Sequence, residues 1–194
     1  DPAQLSTWVE QARARFEVPG IAVAVVKDGQ VVFEGGWGVR ELGRPAPVDG
    51  RTQFAIASNT KAFTAAALAV LVDEGRLDWD DKVTEHLPWF RMSDPYVTAN
   101  LQVRDLLTHR SGLGLGAGDL LFWPGSTYDT PEVVRRLAHV PLATGFRERY
   151  AYDNILYATA TLVIEQASGR SYAQFLHERF FAPLGMDDTR ANAD

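Results

Sequence analysis

Leu5, Trp8, Val9, Ala12 and Phe16 recur at the spacing of one helix face, and Pro19-Gly20 follows as a stop signal. That pattern predicts an N-terminal amphipathic helix. The next stretch, GIAVAVVKDGQVVFEGGWGV, carries two β-rich runs around Lys27-Asp28-Gly29-Gln30. Asp-Gly between two such runs is a strong two-residue hairpin signal. After a loop with Pro45, Pro47 and Gly50, the apolar spacing turns helical and stays so. Helices are expected over 58–74, closed by Gly75, and over 103–109. Others are expected over 131–138, where a first-turn proline is well tolerated, over 154–168, ending at Gly169, and over 172–181. The balance is lopsided: one hairpin, then helix and loop. Two strands alone are marginal in water and need further strands or a covering helix.

Composition narrows the classes. The chain has 194 residues, 46% of them hydrophobic, with a net charge of −6. That is enough for one sizeable core or two small lobes. The acidic balance, with no basic stripe, argues against a nucleic-acid partner. Arg135–Arg136 and Arg147–Arg149 read as solvated faces. Cysteine is absent, which removes disulfides, a thiolate nucleophile and a zinc ribbon. The longest apolar run, 62–72, is about half of what crosses a bilayer, so a buried helix is expected there and no membrane partner. No signal-peptide pattern is read at Asp1, and a mature secreted form and a trimmed chain fit that start equally.

The chemistry begins at FAIASNTKAFTAAALAVL. Lys61 is one of three lysines in an arginine-rich chain, and Ser58-Asn59-Thr60-Lys61 is an S-x-x-K. If the helix starts at Ser58, the two side chains share a face one turn apart and the amine reaches the hydroxyl. A serine hydroxyl needs a neighbouring base before it attacks. A lysine can be that base when burial or a nearby cation lowers its pKa, whereas arginine stays protonated. The plainer reading is an N-cap serine and a first-turn surface lysine. Seven serines and three lysines produce the bare motif by chance in roughly one such chain in ten.

A second piece lies in FRERYAYDNILYATA, where Tyr152-Asp153-Asn154 is a Y-x-N ahead of a helix. A phenol relays protons when cations stabilise its phenolate, and an asparagine amide orients a carbonyl. Taken alone, a core tyrosine beside an asparagine cap explains it as well. The four histidines, His86, His109, His139 and His177, do not pair at metal-ligand spacing, and no metal site is expected. His109, in LLTHRSGL, is expected to pin a loop. The glycine-spaced loop 112–118 lacks a nucleotide-binding pattern and is expected to shape a pocket, with Phe122 and Trp123 as apolar walls on the substrate side.

Together these stretches resemble the serine β-lactamase and penicillin-binding-protein superfamily, and within it the class C β-lactamase-like esterases and peptidases. The resemblance runs through nearly the whole chain. It rests on PGIAVAVVKDGQVV, RTQFAIASNTKAFTAAALAVLVDEGRLDWDDKV, VRDLLTHRSGLG, YAYDN and PLGMDDT. It implies an α/β (α+β) fold of the β-lactamase/DD-peptidase type: an N-terminal helix and β-hairpin of an antiparallel sheet, plus a helical lobe. It implies that Ser58 is the acylated nucleophile, Lys61 its base, Tyr152 the proton relay and Asn154 a substrate contact. The Ser58 backbone N–H would be half of an oxyanion hole. No cofactor is implied, the substrate is a small acyl compound, and the family favours a secreted or periplasmic location.

One element departs from the resemblance. Family members carry K-T-G or H-x-G on a late strand, and no H-x-G occurs here. The only K-x-G is Lys27-Asp28-Gly29, the hairpin turn. The expectation is therefore an N-terminal half to two-thirds of the enzyme. Residues 1–57 hold the helix and hairpin, and 58–194 hold the catalytic helix and helical lobe. The remaining strands are expected in a removed C-terminal segment or a separate chain, unless this is a natural short form; a complementary C-terminal chain is preferred, since an uncovered sheet edge pairs with whatever it meets. A serine hydrolase acting on an ester, amide or β-lactam is the function expected. The competing class is a non-catalytic penicillin-type sensor or pseudoenzyme scaffold.

Overall fold

In the computed structural model, which describes residues 1–191, Asp28 and Gly29 both take positive φ, 53° and 73°. That is the backbone of a two-residue hairpin turn whose twist matches its strands, and Gly29 adopts it without a Cβ clash. The turn joins β1 (Gly20–Lys27) to β2 (Gln30–Gly38) in antiparallel register from Gly20↔Gly38 to Lys27↔Gln30. A bulge interrupts the ladder between Val25 and Val26. Ahead of the hairpin, α1 (Pro2–Arg15) is capped by the Asp1 carboxylate, which accepts from Ala3 N at 3.0 Å. Trp37 Nε1 on β2 donates to Ser6 Oγ on α1 at 3.2 Å. Helix, hairpin and the loop to Ala55 form the first of two units, Asp1–Ala55. It buries little: no α1 residue is fully enclosed, and Val26, Val31 and Val32 on the hairpin are exposed.

The second unit begins at Ile56 and holds the hydrophobic core. Its central pair is α2 (Thr60–Asp73) against α6 (Ile155–Ser168). On α2 the buried positions are Thr64, Ala67, Leu68 and Leu71, a stripe at helical spacing. α6 is enclosed on more of its circumference, with Ile155, Leu156, Ala160, Val163 and Ile164 all fully buried. Short helices pack around this pair: α3 (Val83–His86), α4 (Pro95–Asn100), α5 (Thr130–Arg135) and α7 (Tyr172–Leu176). Phe90, Leu101, Leu106, Leu113 and Leu137 fill the spaces between them. Asp94 caps α4, and a Ser171–Gln174 capping box opens α7. The mixed architecture of seven helices and one two-stranded antiparallel sheet, among the described residues, has the fold class read from the sequence.

Several expected boundaries move. The helix expected over 58–74 starts instead at Thr60, behind a 3₁₀ turn, Ala57–Asn59. Ala57 has φ 45°, and the Asn59 amide donates to Ile56 O at 3.0 Å, so the chain turns sharply before the helix begins. The segment expected to be helical over 103–109 is a 3₁₀ turn, Val103–Leu107, and His109 leaves it at φ 56°. The C-terminal helix changes to a π turn, His177–Phe181, after α7. Arg147 is not a solvated face. It makes a two-pronged pair with the buried Asp105 carboxylate, at 2.9 Å to Oδ1 and 2.6 Å to Oδ2. α3 and α4 escaped the sequence reading, because four- and six-residue helices carry too few turns for a periodicity.

Candidate active site

The sharp turn at Ala57 holds Ser58 exposed at the head of α2, with Lys61 one turn into the helix. Ser58 is not a helix cap. Its Oγ instead lies 2.6 Å from Tyr152 Oη and accepts from Lys61 Nζ at 3.1 Å. Lys61 Nζ also donates to Asn154 Oδ1 at 2.6 Å and sits 4.8 Å from the centre of the Tyr152 ring. The four polar residues singled out in the sequence thus meet at one place, though Tyr152 and Asn154 lie more than ninety positions from the serine–lysine turn.

The Y-x-N segment reaches that place because it runs into the N-terminus of α6. Asn154 is the residue before the helix, and its amide points at Lys61 instead of capping. The capping is done by Asp153, whose Oδ1 accepts from Leu156 N at 3.2 Å. Asp153 is fully buried, and burial pushes its carboxyl above the usual carboxylate range. Its Oδ2 has no hydrogen-bond partner. Tyr152 is shifted the other way: the Lys61 ammonium, then the hydrogen bond to Ser58, draws its phenol below its ordinary value, against an opposing push from burial and from Asp119.

Asp119 belongs to the cluster and was not found in the sequence. Its Oδ2 accepts from Asn154 Nδ2 at 3.0 Å, while its Oδ1 is buried without a partner. With Nδ2 committed to a carboxylate, Asn154 must turn its carbonyl toward Lys61. Asp119 is placed by the glycine loop before it. Gly118 has φ 84°, where a side chain would strain the backbone, and a Cβ there would stand 2.8 Å from Ile155 Cδ1 and displace it, so glycine suits the loop's approach to α6. An acid at the end of a glycine run was the visible signal, but no spacing rule ties it to Asn154, 35 positions on.

Phe122 and Trp123 ride on the 3₁₀ turn Asp119–Leu121, and their backbone N–H groups donate to Asp119 O at 3.1 and 2.9 Å. Phe122 packs on the core, and Trp123 is 55% exposed. A cleft of about 600 Å³ lies elsewhere, in the first unit, between Pro19, Val39, Val48 and Phe54. Among the described residues no group of acids and histidines could hold a metal ion, and no helix is long and apolar enough to cross a membrane.

Known proteins place this arrangement in context. The chain is 33% identical over 190 residues to the unguisins hydrolase ungD' of Aspergillus campestris, covering 93% of this chain and 35% of that protein. It superposes on an octameric penicillin-binding protein homologue from Pyrococcus abyssi with a TM-score of 0.82 and 31% identity, covering 96% of this chain and 44% of the other. For a D-amino acid amidase from Ochrobactrum anthropi SV3 the TM-score is 0.79 and the identity 28%, covering 95% and 50%. The chain thus spans about a third of the curated relative and about half of each solved one. The beta-lactamase family matches residues 5–194. A chain matched over nearly its whole length in this way belongs to the beta-lactamase family.

Proposed function

We propose that the protein is a serine hydrolase that works through an acyl-enzyme, with Ser58 as nucleophile and Lys61 and Tyr152 acting as one base. The observation that carries this reading is the placement of Ser58 Oγ within 3.1 Å of both the lysine amine and the tyrosine phenol. Hydrogen-bond contact between nucleophile and base is the first geometric requirement of such chemistry.

In the proposed reaction the dyad holds one proton fewer than Lys–NH₃⁺ plus Tyr–OH. Ser58 gives its hydroxyl proton to that vacancy as Oγ attacks the acyl carbon. The tetrahedral oxyanion is stabilised by the Ser58 backbone N–H at the sharp turn. Collapse expels an alcohol or amine, which takes the same proton back, and leaves the acyl-serine. Water then attacks the acyl carbon as one of its protons passes to the dyad; collapse breaks the acyl–Oγ bond, Ser58 Oγ takes that proton back from the dyad, and the acid leaves. A positioned base of this kind contributes about 10²–10⁴-fold. Lys61 stabilises the phenolate form of Tyr152, and the lowered phenol is consistent with that. Asn154 is the group that would orient the substrate's amide or ester carbonyl next to the serine.

Esters, D-amino-acid amides and β-lactams all present an acyl carbon to such a serine. A hydrolase and a D-amino acid amidase among the relatives support an amide or ester in that position. Phe122 and Trp123 are proposed to receive its apolar part. The second oxyanion donor and the third family element are proposed to come from a C-terminal segment or complementary chain.

The test is intact mass before and after treatment with a fluorophosphonate. The expected result is one adduct on this chain, lost in Ser58→Ala. An unmodified wild-type chain, or an adduct that survives Ser58→Ala, would overturn the reading. Turnover of a chromogenic ester that stops after a single burst would point to the sensor class instead.

A further inference from the structure

His109 lies outside the reaction just described, yet it touches the backbone on both sides of Tyr152. Its carbonyl oxygen accepts from Ala151 N at 2.9 Å, and its Nδ1 accepts from Asp153 N at 3.2 Å. The ring packs over the Tyr152 ring with centroids 4.5 Å apart and planes at 32°. Tyr150 and Tyr157 close around the same imidazole at 5.5 and 5.4 Å. His109 is 8% exposed and has φ 56°, a left-handed conformation uncommon for a residue with a Cβ.

These contacts have a common effect. The residues before and after Tyr152 are both tied to one side chain and its own carbonyl, so the Tyr152 backbone cannot shift along its strand of loop. The ring contact limits rotation of the phenol. The Asp153 N–H points at Nδ1, so this nitrogen serves as the acceptor of the clasp. The charged and titratable groups that face this cluster are Asp153, 3.7 Å from Nδ1, Lys61, which reaches over the Tyr152 and Tyr157 rings from α2, and Asp119, whose charge pushes the Tyr152 phenol up.

We propose that His109 is a positioning residue for Tyr152: it clasps the two flanking amides and the phenol ring, and so holds the phenol oxygen against Ser58 and Lys61. This rests on the reading of Tyr152 as part of the base, and it adds a residue that touches no reacting atom. Releasing the clasp lets the phenol drift from Lys61 and Ser58. Those two contacts are what draw the phenol below its ordinary value, so their loss returns it upward.

The test is the rate at which a fluorophosphonate labels Ser58 in the intact protein, followed against pH in wild type, His109→Ala and His109→Asn. Asparagine accepts a positive φ and offers an oxygen to Asp153 N, but has no ring. His109→Ala is expected to label at least tenfold more slowly, with the acidic limb of its pH profile moved to higher pH. His109→Asn is expected to recover part of the rate and part of the shift. If His109→Ala does not fold, His109→Asn decides by its own limb. A slower rate with an unmoved limb in both variants makes the role merely structural and overturns the proposal, as does a wild-type rate and limb in both. A wild-type protein that is not labelled at Ser58 removes the hydrolase reading and this inference with it. A labelled wild type with indifferent His109 variants removes the inference alone.

Discussion

Tyr152 Oη stands 2.6 Å from Ser58 Oγ, across 94 positions of sequence. Lys61 lies against both, so phenol, hydroxyl and amine share one short network. In the proposed mechanism Tyr152→Phe removes an acceptor for the serine proton without removing the ring. Acylation is expected to fall by about 10²–10⁴-fold with the fold retained. The phenol is drawn down by Lys61, so the base form appears, and wild-type labelling rises, at a pH below the ordinary phenol value. Tyr152→Phe should lose that limb. A limb of unchanged position in the variant would assign the titration to another group.

Lys61→Arg separates charge from proton transfer. Arginine keeps a cation near Ser58 but does not give up its proton. If Lys61 is only a fixed charge, the variant keeps most of its activity. The expected outcome is a loss of orders of magnitude in acylation, with the melting temperature within a few degrees of wild type. Stopped-flow rates beside a thermal melt measure both.

Asp119→Asn tests the carboxylate that orients Asn154. Replacing the charged acceptor by a neutral amide oxygen weakens the hydrogen bond by about 1–1.5 kcal/mol, and the Asn154 amide becomes free to reverse. Acylation should drop roughly tenfold or more on that account. The negative charge of Asp119 works to raise the Tyr152 phenol, so its removal should move the acidic limb to lower pH. The direction is opposite to that expected for His109→Ala. A limb moving upward in Asp119→Asn would contradict this account.

Trp123 is more than half exposed on the turn that begins at Asp119. If it receives the apolar part of the substrate, Trp123→Ala should raise KM for bulky acyl esters and leave acetyl esters nearly unchanged. Equal kinetics on both series would remove Trp123 from the substrate site.

Asp153→Asn bears on stability. The wild-type carboxyl is pushed up by burial, so the folded state binds its proton more tightly than the unfolded chain does. Stability then falls as pH rises from the ordinary carboxylate value through the folded one, because the unfolded state releases its proton first. An asparagine keeps an oxygen for Leu156 N and has nothing to titrate. Melting temperatures of the variant should be flatter than wild type across that window, and a parallel decline in both would show that Asp153 is not responsible.

The hairpin, the α2 and α6 helices and the S-x-x-K and Y-x-N pieces were legible along the chain, because each depends on neighbours within a turn or two. Asp28-Gly29 dictates its turn through local backbone freedom, and the stripe from Thr64 to Leu71 dictates a buried face through its spacing alone. Only tertiary structure decided that Ser58 leaves the helix in a 3₁₀ turn and faces Tyr152, since the turn's Ala57 conformation follows no residue preference. The pairing of Arg147 with buried Asp105 was equally out of reach, as was Asp119 behind Asn154. A charge's partner is set by which loops the packed core brings together. Local sequence carries the periodicity that builds α2 and α6, but the fit of one against the other is what carries Tyr152 and Asn154 to the serine.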